Sequence, residues 1–234
     1  MRRKRLVALT GAGVSAESGL RTFRDADGLW EEYPLEEVAT PQAWARDHRK
    51  VLHFYDLRRQ QVLAAAPNPA HFALVKLQEF FHVDVVTQNI DDLHERAGSQ
   101  HVLHLHGEIL KARSTVDPEL IIPWREACLK SGSLCPKGSQ LRPHIVWFGE
   151  EVPMMPVAMD LVLQADVLLI IGTSLNVYPA AGLIHYTDPS CDVYVVDPDP
   201  SLRVDKTGVK HIKSTASEGV PMLAEQLITT ERSA

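Results

Sequence analysis

The chain is short of cysteine, of long apolar runs and of clustered positive charge. It has three cysteines in 234 residues, Cys128, Cys135 and Cys191. An odd, low number with no secretory signal argues against a disulfide framework and for reduced thiols. No apolar run approaches the roughly 20 residues that a membrane helix needs, so no membrane partner is expected. The basic opening Met1-Arg2-Arg3-Lys4-Arg5 leads into Leu6 to Leu9, an apolar stretch too short for a signal-peptide core. A cytoplasmic protein is expected. Net charge is -6 and the sequence pI about 6.0. Beyond the first five residues there is no basic stripe of the kind a nucleic acid prefers, so none is expected as a partner. That opening run reads as a solvated tail. No repeat or low-complexity tract is visible, and a monomer is expected.

What is present is a rhythm. Short apolar runs at Leu6–Leu9, Val83–Thr87, Val102–Leu105, Val167–Ile171, Val193–Val196 and Val209–Ile212 read as strands. Several are near-continuous in Val, Leu and Ile, as strands buried on both faces of a parallel sheet are. Helices are expected at Trp44–Ala66, Pro69–Phe80, Asp91–Ala97, Val157–Gln164, Ala180–Tyr186 and Val220–Thr229. The alternation predicts an α/β fold, a Rossmann-like doubly wound parallel sheet. Two regions, 23–66 and 112–145, interrupt it and are expected to form a small inserted lobe. Ala112–Ile145 shows prolines, glycines and two cysteines without convincing periodicity.

After the first run comes Gly11-Ala12-Gly13-Val14-Ser15-Ala16-Glu17-Ser18-Gly19. Glycines there let the backbone turn tightly and approach a pyrophosphate, and the next helix N-terminus offers N–H groups to it. A strand-to-helix turn with no ligand is the alternative. A dehydrogenase would continue into a short helix and a second strand ending in an acid. Leu20-Arg21-Thr22-Phe23-Arg24-Asp25 instead enters a loop with Gly28, Leu29 and Trp30. Three further segments follow strands. Gln88-Asn89-Ile90-Asp91 offers an amide and a carboxylate, although Asp91 also suits a helix cap and Asn89 a loop. His104 and His106 lie two apart, which raises a metal site, but no third ligand is evident. His106 precedes Gly107 and is expected to project into the cleft. Gly172-Thr173-Ser174 has small and hydroxyl residues that suit a phosphate or ribose, or a plain loop.

Taken together, the glycine segment with Thr22-Phe23-Arg24, then Gln88-Asn89-Ile90-Asp91, His106-Gly107-Glu108 and Gly172-Thr173-Ser174-Leu175 resemble the sirtuins, NAD-dependent lysine deacylases. The resemblance runs from about Leu6 to about Leu227, as one sirtuin-type domain over 1–234. It implies NAD as co-substrate and acyl-lysine proteins as partners. It implies NAD contacts at Gly11, Ala12, Gly13, Ser15, Ala16, Glu17, Thr22, Phe23, Arg24, Trp30, Gln88, Asn89, Ile90, Asp91, Gly172, Thr173, Ser174, Asp197, Pro198, Asp199 and Ala216. Asp197 stands where the family usually has an asparagine on the adenosine ribose. His106, Asn89 and Asp91 would be catalytic. The acyl oxygen attacks the ribose carbon as nicotinamide leaves, and neutral His106 takes a proton from a ribose hydroxyl. Free lysine and O-acyl-ADP-ribose result. Phe23 would keep water out.

Tyr55 and Arg58 are three apart on one helix face. Tyr55-Asp56-Leu57-Arg58 resembles the Tyr-x-x-Arg signature of the sirtuin class, class III, that removes acidic acyl groups. Arginine can hold a carboxylate by two parallel bonds, so succinyl- and malonyl-lysine are expected above acetyl-lysine. Read without the resemblance, Arg58 is a surface residue and Arg59 competes with it. Val146-Trp147-Phe148-Gly149 resembles the segment that pairs with the substrate backbone. The chain departs from the family at cysteine. Most members hold zinc with four, whereas Cys128 and Cys135 stand here with six residues between them and Cys191 lies far off. Two ligands do not close a tetrahedral site, so no zinc is expected. Leu120, Ile121, Ile122 and Trp124 are expected to pack the small lobe instead. A mono-ADP-ribosyltransferase and a non-enzymatic NAD-binding module are the alternatives. A serine or cysteine hydrolase is poorly supported, because Ser15 lacks a Gly-x-Ser-x-Gly setting.

Overall fold

The structure, a computed structural model, describes residues 2–20 and 33–233. Thr22, Phe23, Arg24 and Trp30 therefore lie outside the described residues. Six parallel strands form the main sheet: β1 (Arg5–Thr10), β2 (His82–Thr87), β3 (Val102–His104), β7 (Val167–Ile171), β8 (Asp192–Val196) and β9 (Lys210–Ile212). Their order is β3-β2-β1-β7-β8-β9, so the winding reverses between β1 and β7. All six expected strands are present.

Alternate residues of these strands feed two cores. Leu6, Ala8, Val83, Val85, Leu169, Ile171 and Val196 face the helices α4 (Pro69–Leu77) and α7 (Ala216–Arg232). Val7, Leu9, Val86, Leu168, Ile170 and Val195 face α6 (Met155–Leu163) and the segment Ala180–Tyr186. Being buried on both sides is why the runs carry no polar alternation. Ala180–Tyr186 is a 3₁₀-helix, not an α-helix. The expected long helix is α3 (Pro41–Ala64), broken by Asp47 at φ −153°. Asp47 restarts it by accepting from the Arg49 and Lys50 amides at 3.1 Å each.

The rest is a second sheet, β5-β4-β6, from β4 (Gly107–Ser114), β5 (Ile121–Pro123) and β6 (Leu141–Ile145), all antiparallel. The region 112–145, which shows no convincing periodicity in the sequence, thus holds β5, β6 and the end of β4. An irregularity between Glu108 and Ala112 buries Ile109 and Leu110 side by side, which hides the period of two. The lobe's buried core is Leu52, Ala112, Leu129, Cys135 and Leu141, with Leu120, Ile122 and Trp124 partly buried against it. Ile121 points outward on the alternating edge strand β5, so it does not pack the lobe.

Candidate active site

The reversal between β1 and β7 puts two glycine-bearing loops against each other at the carboxyl edge of the sheet, where open α/β sheets bind ligands. A Cβ at Gly11 would lie 2.7 Å from the Gly172 oxygen, and one at Gly13 2.7 Å from the Gly172 Cα. The contact admits only glycine. The loop's Gly11 and Gly13 amides donate to Ile171 and Gly172 carbonyls, at 3.0 and 2.8 Å. The short helix α1 (Gly13–Ala16) uses its first amides internally, Val14 on Gly11 and Ser15 on Ala12. Asn68 caps α4 and reaches back to the Val14 carbonyl and the Ser18 hydroxyl, at 2.8 and 2.9 Å, fixing the loop from below. The Glu17 carboxylate accepts from the amide and hydroxyl of Ser217 at the start of α7. It thereby supplies an acid to a helix N-terminus that has no cap of its own.

Ser15 joins the glycine loop to the Asn89–Asp91 loop. Asn89 Nδ2 donates to Ser15 Oγ at 3.1 Å, and Ser15 Oγ donates to Asp91 Oδ2 at 3.0 Å. All three residues are buried. Asp91 Oδ1 accepts from the Leu93 amide at 3.1 Å, so the helix-start role and the relay coexist on one carboxylate. Burial is the largest influence on Asp91 and raises its pKa against those two bonds. Gln88 Nε2 donates to Thr173 Oγ1 at 3.1 Å, tying this loop to the one after β7. Thr87 accepts from the Asn89 amide at 3.0 Å and bonds to Thr10 at 2.8 Å, which in turn meets buried His94 at 3.0 Å. None of Thr10, Thr87, His94 or Asn68 was singled out in the sequence. Only Asn68 carried a signal there, an Asn-Pro pair at a helix start.

His106 stands between β3 and β4, not within a strand. Its Nδ1 lies 3.0 Å from the Gln88 carbonyl. A carbonyl can only accept, so Nδ1 carries the proton and Nε2 of the neutral ring is left as a base. Burial lowers the His106 pKa below the ordinary histidine value, although the Gln88 bond works the other way. Gly107 makes the turn that follows, at φ +82°. His104 is different. Its two nitrogens meet the Asn89 carbonyl at 3.0 Å and Glu95 at 2.7 Å, so neither is open to a metal. Burial opposes charge on His104, but the bond and charge of Glu95 outweigh it and raise the pKa.

On α3, Tyr55 is buried beside Trp147 and Arg58 is half-buried. Burial lowers the Arg58 pKa most, and the charges of Asp91 and Tyr55 oppose it. Arg59, the competing arginine, is wholly buried. It bonds Asp56 Oδ1 at 2.6 Å and the Ile109 carbonyl at 3.1 Å, so its role is structural. Trp147 is buried, and Phe148 and Gly149 are exposed. The Val146, Trp147 and Phe148 amides already donate to His106 O, Glu150 and Ala39 O. Asp197 and Ala216 are buried, Asp199 is half-buried and Pro198 is exposed. Asp197 accepts from the Asp199 amide at 2.9 Å.

In the small lobe Ser114, Cys135 and Ser139 lie together. Ser114 and Ser139 are 2.9 Å apart, and Cys135 is 3.4 and 3.1 Å from them. Cys128 lies instead against Gln60 at 3.8 Å. One thiol and two hydroxyls do not fit structural zinc. Among the described residues no cluster of three or more His, Cys, Asp or Glu suits a metal.

This architecture is that of a dinucleotide-binding fold with a polar cleft at its switch point. Residues 11–179 match the family model described as "Sir2 family", and the chain belongs to that family. It is 50% identical over 231 residues to an "NAD-dependent protein deacylase" of Bacteroides thetaiotaomicron, covering 96% of this chain and 98% of that relative. It is 50% identical over 225 residues to one of Helicobacter pylori, covering 96% and 98%. A solved Sir2 homologue in complex with NAD has a TM-score of 0.88 at 40% identity, over 98% of this chain and 91% of that one.

Proposed function

We propose that this chain is an NAD-dependent protein-lysine deacylase that prefers succinyl- and malonyl-lysine to acetyl-lysine. The observation that carries the activity is the tautomer of His106. Held through Nδ1 on the Gln88 carbonyl and kept neutral by burial, the ring offers Nε2 as a base at the carboxyl edge of the sheet. The Asn89–Ser15–Asp91 relay beside it supplies an amide and a carboxylate to orient a ribose and the carboxamide of NAD. Asp197 at the end of β8 can accept from ribose hydroxyls. Products would be nicotinamide, free lysine and O-acyl-ADP-ribose. Family membership and relatives of matching length named as deacylases support this reading.

The acyl preference rests on Arg58. Its half-buried guanidinium lies near Asp91, on the same helix face as Tyr55. A guanidinium in such a setting can hold a carboxylate by two bonds, with the tyrosine hydroxyl adding a third. An acetyl group gives it nothing to bind. We further propose that the fold needs no zinc, since among the described residues no three donors come together in the small lobe. Incubation with NAD and a succinyl-lysine peptide, read by mass spectrometry, tests the reaction. O-succinyl-ADP-ribose and nicotinamide are expected, with faster turnover than on the acetyl peptide. ADP-ribose attached to protein without acyl transfer would favour a mono-ADP-ribosyltransferase instead, and NAD bound but intact a non-enzymatic module.

A further inference from the structure

A cavity of about 520 Å³ opens between the first turn of α3 and the small sheet, with Trp44, Arg113, Thr115, Arg142, Val146 and Glu150 on its walls. None of His106, Asn89 and Asp91 lines it. Strands β4 and β6 set Arg113 directly opposite Arg142. Like charges so placed are destabilising. One carboxylate answers both. Glu150 accepts from Arg142 at 2.7 and 3.0 Å and from Arg113 at 3.2 and 3.4 Å. Arg142 is further committed, with Nη2 on the Ile145 carbonyl at 2.8 Å and its guanidinium carbon 3.3 Å from the Trp147 ring centre. Arg142 and Glu150 alone would form a neutral pair, although Arg142 Nε is buried without a partner among the described residues. Within this trio Arg113 is the surplus charge. Among the described residues every side-chain bond of Arg113 is made by Nη2, on Ile145 O and Glu150, which leaves Nε and Nη1 available to a ligand or to water. Its side chain is 15% exposed, so water screens it only in part. The same field reaches His144, whose pKa burial and then Arg113 push down to about 4. Glu151 lies at the rim, exposed to solvent.

We propose that this cavity is a specificity subsite that takes an acidic side chain, aspartate or glutamate, of the substrate polypeptide near the acylated lysine. The proposal rests on the deacylase reading, because Val146 on the cavity wall begins Val146-Trp147-Phe148-Gly149, the segment that resembles the family's substrate-pairing segment. A carboxylate entering the cavity accepts from Arg113 Nε and Nη1 and neutralises the surplus charge. Trp44 and Pro118 cover its methylene groups.

The test measures binding and turnover separately. Fluorescently labelled succinyl-lysine peptides carry a single glutamate walked through the flanking positions, against an all-alanine reference. In fluorescence polarisation one position is expected to bind at least roughly tenfold tighter, the lower end for a charge-assisted contact to a guanidinium that water partly screens. Arg113→Gln and Thr115→Glu are expected to flatten that profile and leave binding of the alanine peptide unchanged. Thr115 is exposed at the rim, so its variant stands even if Arg113→Gln folds poorly. A flat profile on the unaltered protein, or a preference that survives Thr115→Glu, overturns the subsite. Turnover with NAD on the same peptides judges the deacylase reading alone. Binding preference without turnover sinks that reading and leaves the subsite standing.

Discussion

Replacing Gly107 by alanine tests how the backbone sets His106. Gly107 has φ +82°, and a Cβ there would run into the backbone oxygen of His144 across the strand pair. Two effects follow. A side chain in the left-handed region costs about 1–2 kcal/mol. The clash is with backbone, so β4 and β6 must part where Gly107 pairs with Ile145 and the Val146 amide bonds His106 O at 2.9 Å. Losing one or two such bonds adds about 1 kcal/mol each. The expected loss is about 2–4 kcal/mol. Gly138 is the control: φ is +77°, but nothing lies within 4 Å of its added Cβ. Gly138→Ala is expected to lose only the conformational part, about 1–2 kcal/mol. In a thermal melt these translate to roughly 10 °C and roughly 4 °C. Because a shift of about 1 Å in a catalytic group can lower rate about a hundredfold, Gly107→Ala is also expected to lose deacylation below its melting range. Gly138→Ala keeps it. Equal melting shifts in the two variants would refute the steric argument.

Other outcomes follow from the same geometry. Arg58→Met is expected to lower kcat/KM on succinyl-lysine by roughly 30- to 100-fold, the worth of a charged bidentate contact, with little change on acetyl-lysine; equal losses on both peptides would sink the acyl preference. His106 must be neutral to act, and its pKa is lowered by burial, so the acid limb of kcat/KM is expected below the ordinary histidine value near 6.5. Activity holds as pH falls to that value and is lost only beneath it; a limb above 6.5 contradicts this. Asp56→Ala strips Arg59 of its carboxylate and leaves the Leu129 amide, now 2.7 Å from Asp56, unpaired. Chemical denaturation is expected to show a loss of about 3–5 kcal/mol. Chelator dialysis is expected to leave the melting temperature unchanged, and one tightly held zinc per chain by metal analysis would overturn the zinc-free small lobe.

The sheet was legible because its strands are buried on both faces. Val167–Ile171 is apolar and buried at every position. The glycine loop was legible because a close backbone approach leaves no room for a Cβ. The small sheet was not. Its strands are short, one is irregular, and Ile109 and Leu110 turn inward together. Arg58 and Arg59 adjoin in the sequence, and nothing local separates them. One helical step of rotation sends Arg59 into the core onto Asp56 and leaves Arg58 facing the Asp91 loop. The sequence by itself determined the winding, the glycine loop after β1, and the chemistry available at Asn89, Asp91 and His106. Tertiary structure alone decided which nitrogen of His106 carries the proton, that Ser15 joins Asn89 to Asp91, and that Arg113 faces Arg142. Those depend on partners 18, 74 and 76, and 29 positions away, and contacts at such separations are set by how the sheets close, not by any local pattern.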